Sequence, residues 1–295
     1  MSIEKPKPSA PKYHHSSFWL MGWLVLLAGG LMGMLFLPNL YVIWCVLWSV
    51  VMLGASVGLH ECGHGTFYSS KKLNEILGVI FGSCSFQPFG SYRYAHFQHH
   101  QWQGTEKDPT PTPLTPPKPN IFFDWCVKCY IPILYWGGVW WAYFAYKPPH
   151  YSFFKKGVEW VVVLLPHALL GWAVPNYTGL CFVSFLLYSV LYENLFTISH
   201  HMGLRPQMKQ PKYSYAEQMD CARTIPTSKG WVGLNFFYHK EHHLYPQAHW
   251  TALPLLHQQL KEHNSLLYGE KETFQRALGR RQGRFHQVLW PKKNN

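Results

Sequence analysis

Residues 13–59 contain no Asp, Glu, Lys or Arg, and residues 157–204 contain only Glu159 and Glu193. Crossing about 30 Å of hydrocarbon takes about 20 apolar residues, so each block is long enough for two spans. Each is interrupted near its middle by a Pro-Asn pair, Pro38-Asn39 and Pro175-Asn176. Such a pair stops a helix and favours a turn. The blocks therefore predict two helical hairpins, roughly 18–37 with 40–59 and 158–174 with 177–199. All 26 Lys and Arg lie outside the two blocks. The positive-inside rule then puts the N-terminus, the middle region and the C-terminus on the cytoplasmic side. The expected organisation is a cytoplasmic tail over 1–17, a transmembrane hairpin over 18–59 and a cytoplasmic or interfacial region over 60–156. A second hairpin over 157–199 and a cytoplasmic C-terminal cap over 200–295 complete it.

Eight histidines fall into three runs, all in the parts expected on one side: His60-Glu61-Cys62-Gly63-His64, His96-Phe97-Gln98-His99-His100 and His239-Lys240-Glu241-His242-His243. Positions i, i+3 and i+4 of a helix share a face, so each run can aim two or three imidazoles in one direction. Imidazole suits iron, copper, nickel or zinc. Eight converging nitrogens exceed what one ion can use, which predicts a two-metal site. The carboxylate-bridged di-iron site of ferritin-like bundles is built from Glu and Glu-x-x-His; acids are too few here, so the site is expected to be histidine-rich.

The polar run Glu193–His201 closes the second hairpin. Asn194 and His201 are two helical turns apart and share a face, which nominates His201 as a ninth ligand, with His200 as the alternative, and Asn194 as a polar neighbour of the site. Metal-bound histidine usually donates its other N–H to a carboxylate or carbonyl. Glu61, Glu241 and Asp220 are candidate acceptors, Arg223 a candidate partner for one of those acids, and His249 and His257 candidate outer donors. His167, mid-span, is read as packing beside Pro166. His14, His15, His150, His263 and His286 are read as ordinary polar residues.

The remaining chain constrains function less. Residues 76–90 are apolar but broken by Gly78, Gly82, Pro88 and Gly90, as in a re-entrant or interfacial segment. Residues 101–120 are Pro-rich and predict an extended linker. Residues 121–147 mix aromatics with few charges and predict helices at the membrane surface, and helices are expected near 253–262 and 270–281. The net charge of +12 fits cytoplasmic faces against anionic lipid and, in addition, docking of an acidic redox partner. No nucleic-acid motif is present, so no nucleic-acid partner is expected. The seven cysteines are scattered and Cys126-x-x-Cys129 stands alone, which reads as structural. The N-terminal apolar stretch is too long for a cleavable signal peptide.

These three runs in this order resemble the histidine boxes of the membrane fatty acid desaturase and hydroxylase superfamily, over roughly residues 18–260. Glu241-His242-His243-Leu244-Tyr245-Pro246, followed by Leu253-Pro254-Leu255-Leu256-His257, looks like its acyl-lipid desaturase branch. The resemblance implies an all-α integral membrane fold: four transmembrane helices in two hairpins under a cytoplasmic helical cap that holds a histidine-rich di-iron site. It implies two iron ions bound by His60, His64, His96, His99, His100, His239, His242, His243 and His201. It also implies dioxygen as co-substrate, a lipid or fatty acyl substrate, and a separate electron donor, a ferredoxin or a b-type cytochrome with its reductase. The expected reaction puts a double bond into an unactivated alkyl chain. A hydroxylase or ketolase acting on a carotenoid or another lipid is the alternative within the superfamily. A metal transporter or sensor would need polar groups along its spans, and these spans are nearly free of them.

Overall fold

The computed structural model describes residues 6–103, 108–109, 136–137, 139–141, 143, 151–192, 195–196, 199–201 and 222–263. Among them the regular structure is helical: α1 (Tyr13–Phe36), α2 (Tyr41–His64), α3 (Lys71–Cys84), α4 (Phe89–Trp102), α5 (Phe153–Ala173), α6 (Tyr177–Tyr192), α7 (His239–Leu244) and α8 (Leu253–His263). Short 3-10 turns lie at Pro38–Leu40, Gly230–Gly233 and Trp250–Ala252, and a single helical turn at Ser199–His201. No strand occurs among the described residues; an isolated bridge joins Thr224 to Tyr238. The chain forms two compact units, one of Lys12–His96 with Trp140–Tyr192, the other of Met1–Pro11, Phe97–Val139 and Glu193–Asn295.

In the first unit, α1 and α2 are each long and apolar enough to cross a membrane. The two Pro-Asn pairs lie where the helices break. Pro38 opens the 3-10 turn between α1 and α2, and Asn176 takes the left-handed φ of 63° between α5 and α6, which Asn tolerates better than most residues. The helix bounds differ from the sequence expectation at both ends of the first pair. α1 begins at Tyr13, and α2 runs on past residue 59 to His64. Nothing breaks α2 before Gly65, whose φ is 74°. There a Schellman cap forms: Gly65 N–H donates to the Cys62 carbonyl at 3.0 Å and Thr66 N–H to the Glu61 carbonyl at 3.0 Å. The first histidine run is therefore the last turn and a half of a rigid helix.

α2 packs against α1, α3 and α6. At Gly58 the approach of α3 is so close that a Cβ would lie 2.6 Å from the Phe81 ring. The α3–α4 turn is buried and polar. Gln87 donates to Ser56 Oγ at 3.1 Å and Tyr188 OH at 3.3 Å, and accepts from Tyr143 OH at 2.9 Å. A buried amide persists only when its donors and acceptor are matched in this way. His167 of α5 is tied to Tyr177 OH of α6 at 2.7 Å and to the Ser83 carbonyl of α3 at 2.9 Å, so it joins three helices. Facing outward, α1 and α5 expose large apolar side chains, Phe36 at 71% and Trp172 at 88% among them. Exposed apolar faces of this kind mark membrane or partner contacts.

In the second unit, α8 covers the helix expected at 253–262; the one expected at 270–281 lies outside the described residues. Its core gathers Tyr238, Ala248, Ala252, Leu253 and Leu256. Leu234 and Asn235 both take left-handed φ, 49° and 54°, and turn the chain toward α7. The Asn235 amide holds that turn by donating to the Trp250 carbonyl at 3.1 Å.

Candidate metal centre

Box 1 follows from α2. His60 and His64 are one turn apart on one face, 3% and 5% exposed. Glu61 accepts from His60 Nδ1 at 3.1 Å and from Thr66 Oγ1 at 2.7 Å. The carboxylate thus holds the His60 proton on Nδ1 and leaves Nε2 as the ligating atom. The first histidine of box 2, His96, reaches the same place within this unit. Its Nε2 is 2.8 Å from His64 Nε2, and His60, His64 and His96 each offer a nitrogen within 4.8 Å of the others. Tyr92, one turn earlier on α4, stacks on the His96 ring at 5.4 Å and 7°, and burial pushes its phenol well above the usual range.

The second unit gathers the other histidines. His99, His201 and His243 offer nitrogens within 4.8 Å of one another. His239 Nε2 lies 2.8 Å from His201 Nε2 and 3.1 Å from His243 Nε2. His242 Nε2 lies 3.1 Å from His100 Nε2. Two of these ligand candidates, His99 and His201, have a neighbour at the far nitrogen. Asp108 receives His99 Nδ1 at 3.1 Å, and the Gln103 amide sits 2.7 Å from His201 Nδ1. His200, fully buried, donates from Nδ1 to the Arg223 carbonyl at 3.1 Å, while Arg223 N–H donates to the His200 carbonyl at 2.9 Å. Arg223 therefore meets the site through its backbone as a strap on the His200–His201 turn. Glu241 is fully buried, taking His257 Nδ1 at 2.8 Å and the hydroxyl of Thr224. His249 caps a 3-10 turn, accepting from Thr251 N–H at 3.2 Å. Asn194 and Asp220 lie outside the described residues.

The donor set fits a transition metal. Two nitrogens bound to one ion at about 2.1 Å and at right angles lie about 3.0 Å apart, and the imidazole pairs stand 2.8 and 3.1 Å apart. The lone pairs are also available. Burial, then the neighbouring imidazoles, hold His239 and His243 well below the usual histidine range, so they are neutral at pH 7. Burial likewise lowers His200 to about 4. Thr66, Gln103, Asp108 and Thr224 are site neighbours that sequence reasoning did not single out. Only Thr66 had a signal, its place two residues beyond His64.

Comparison with known proteins agrees with this chemistry. The sequence model of a family described as fatty acid desaturase matches residues 38–271. The chain is 42% identical over 69 residues to an endoplasmic reticulum omega-3 fatty acid desaturase of Vigna radiata var. radiata, covering 23% of this chain and 17% of that protein. It is 38% identical over 90 residues to a delta(12) fatty acid desaturase of Mortierella alpina, covering 27% and 22%. It is 35% identical over 82 residues to a chloroplastic sn-2 acyl-lipid omega-3 desaturase (ferredoxin) of Helianthus annuus, covering 28% and 17%. The matched stretches thus span less than a quarter of each relative's length.

Proposed function

This chain belongs to the fatty acid desaturase family, and from that premise we propose that it is a membrane-bound, dioxygen-dependent desaturase that introduces a double bond into a fatty acyl chain. The observation that carries the reading is the set of imidazoles gathered with nitrogens 2.8 to 3.1 Å apart. His60, His64, His96, His99, His100, His201, His239, His242 and His243 hold two iron ions. Bound iron supplies the activation of dioxygen that removal of hydrogen from an unactivated carbon requires. Glu61 and Thr66 fix the tautomer and angle of His60, and Asp108 does the same for His99. The backbone pair between His200 and Arg223 holds the turn that presents His201. An apolar tunnel between the spans would hold the acyl chain and exclude water.

The protein is multi-pass, with four spans in two hairpins, and its termini and histidine boxes face the cytoplasm; α1 and α2 support the first pair. Electrons come from a separate donor. A net charge of +12 suits an acidic one, and the sunflower relative carries ferredoxin in its name. The test has two readings. Purified protein made with iron available should carry two iron atoms per chain. The membranes of a host making the protein should contain an unsaturated acyl chain missing from the empty-vector control. One zinc and no iron in iron-replete cells defeats the di-iron reading. A hydroxylated or keto lipid in place of the alkene moves the protein to the hydroxylating branch of the superfamily.

A further inference from the structure

We propose that Glu159 is a positioning residue for box 2, holding the N-terminal end of α4 at a fixed height in the first unit; this rests on the reading of the box histidines as metal ligands. Glu159 is the only charged residue between Gly157 and Tyr192. A carboxylate in the second turn of an apolar helix is costly unless it is fully paired. Its partners converge from α4 and from the entry to α5. Gly90 N–H donates to Oε1 at 3.1 Å, Ser91 Oγ to Oε2 at 3.0 Å, and Tyr151 OH to Oε1 at 3.1 Å. Gly90 and Ser91 stand in the first turn of α4, where backbone N–H groups lack helical partners and the helix dipole favours an anion. Ser91 is fully buried. The fit at residue 90 is close: a Cβ there would lie 2.2 Å from Glu159 Oε1 and 2.1 Å from Tyr151 OH, so one of these groups would have to move.

The consequence for the metal follows from helix geometry. Gly90 and His96 are six residues apart, about 9 Å along a rigid axis. A shift of the N-terminal end is therefore delivered to His96. There, Nε2 stands 2.8 Å from His64 Nε2, and a working site holds its groups to about 0.5 Å. His99 and His100 ride on the same helix. Glu159 thus acts on the site through α4, touching none of the histidines.

The experiment titrates cobalt(II) into the metal-stripped, detergent-purified full chain and follows the visible absorption of the bound ion. Glu159→Gln keeps the side-chain shape but turns an accepting oxygen into a donating NH2. It should weaken cobalt binding about 10–100-fold, as loss of an outer partner does, and shift the absorption band while the protein stays helical and monodisperse. Gly90→Ala should show the same loss. Unchanged affinity and band in Glu159→Gln overturn the proposal. If Glu159→Gln does not accumulate, Ser91→Ala removes one donor and leaves the carboxylate. A loss of about tenfold there supports the role, and no change overturns it. Cobalt binding by the unaltered protein without any desaturated product removes the proposed activity and leaves this positioning role intact. Product formation with Glu159→Gln unchanged does the reverse.

Discussion

At the scale of single residues, adjacent histidines at the end of one turn have separate duties. His201 groups with His99 and His243 and points Nε2 to within 2.8 Å of His239. His200 is buried, packs its ring 5.0 Å from that of His239 and spends its Nδ1 proton on the Arg223 carbonyl. His201→Ala should abolish product and lower iron affinity by more than the roughly 10–100-fold typical of an outer partner. His200→Ala should instead lower thermal stability through the cavity it leaves, about 2–5 kcal/mol for a large buried side chain, with iron per folded chain retained. The reverse pattern, iron lost from His200→Ala and kept in His201→Ala, reassigns the ligand. Glu61→Gln tests the outer layer. It should cost about 10–100-fold in iron affinity, read by competition with a chelator, and Thr66→Ala less, since Thr66 reaches His60 only through Glu61. The ligand candidates were legible because imidazoles clustered at helical spacing rarely arise without a metal to bind. Asp108 and Gln103 were not, because each meets its histidine through the fold, with no spacing rule to mark it.

At the scale of elements, the Pro-Asn turns and the apolar blocks could be read directly from composition, since proline and charge act locally. The continuation of α2 through box 1 could not, because it depends on a cap: Gly65 and Thr66 stop the helix after His64 rather than at the end of the apolar stretch. Nor could the use of Gln87 and Glu159, polar residues in apolar surroundings whose partners come from other helices. Helix packing is the most sensitive part of this arrangement. Gly58 lets α3 approach the face opposite the histidine-bearing turn, and a methyl there would strike the Phe81 ring at 2.6 Å. Gly58→Ala should destabilise the protein by about 1–3 kcal/mol, the usual cost of overpacking, measured as a lower melting temperature in detergent. Adding Phe81→Leu should recover part of it, as residues in contact couple when both are changed. Equal melting temperatures for Gly58→Ala and the unaltered protein would show that α2 and α3 can separate without cost.

At the scale of the whole molecule, the proposed orientation rests on the charge pattern. The turns at Pro38-Asn39 and Pro175-Asn176 carry no Lys or Arg, while all 26 lie in the regions before, between and after the apolar blocks. Lys and Arg near membrane spans are retained on the cytoplasmic side. Two hairpins would return the chain to that side twice, which would let boxes on distant stretches of sequence face one compartment. An odd number of spans between box 2 and box 3 would put box 3 on the face opposite boxes 1 and 2 and divide the imidazoles between two compartments. Among the described residues, only α1 and α2 meet the length and composition for crossing by themselves; Tyr177–Tyr192 is shorter, and α5 begins with Lys155, Lys156 and Glu159. The second pair of spans is therefore where orientation needs measurement. In a background with the native cysteines replaced, single cysteines at Asn39, Asn176 and Asn294 should divide under a membrane-impermeant thiol reagent applied to sealed, right-side-out vesicles. Asn39 and Asn176 should label from outside and Asn294 only after the vesicles are opened. Labelling of Asn39 and Asn294 from the same side refutes the arrangement of two hairpins. Labelling of Asn39 but not Asn176 from outside keeps the first hairpin and makes α5 and α6 a pair buried from one face, with the histidine boxes still on the cytoplasmic side.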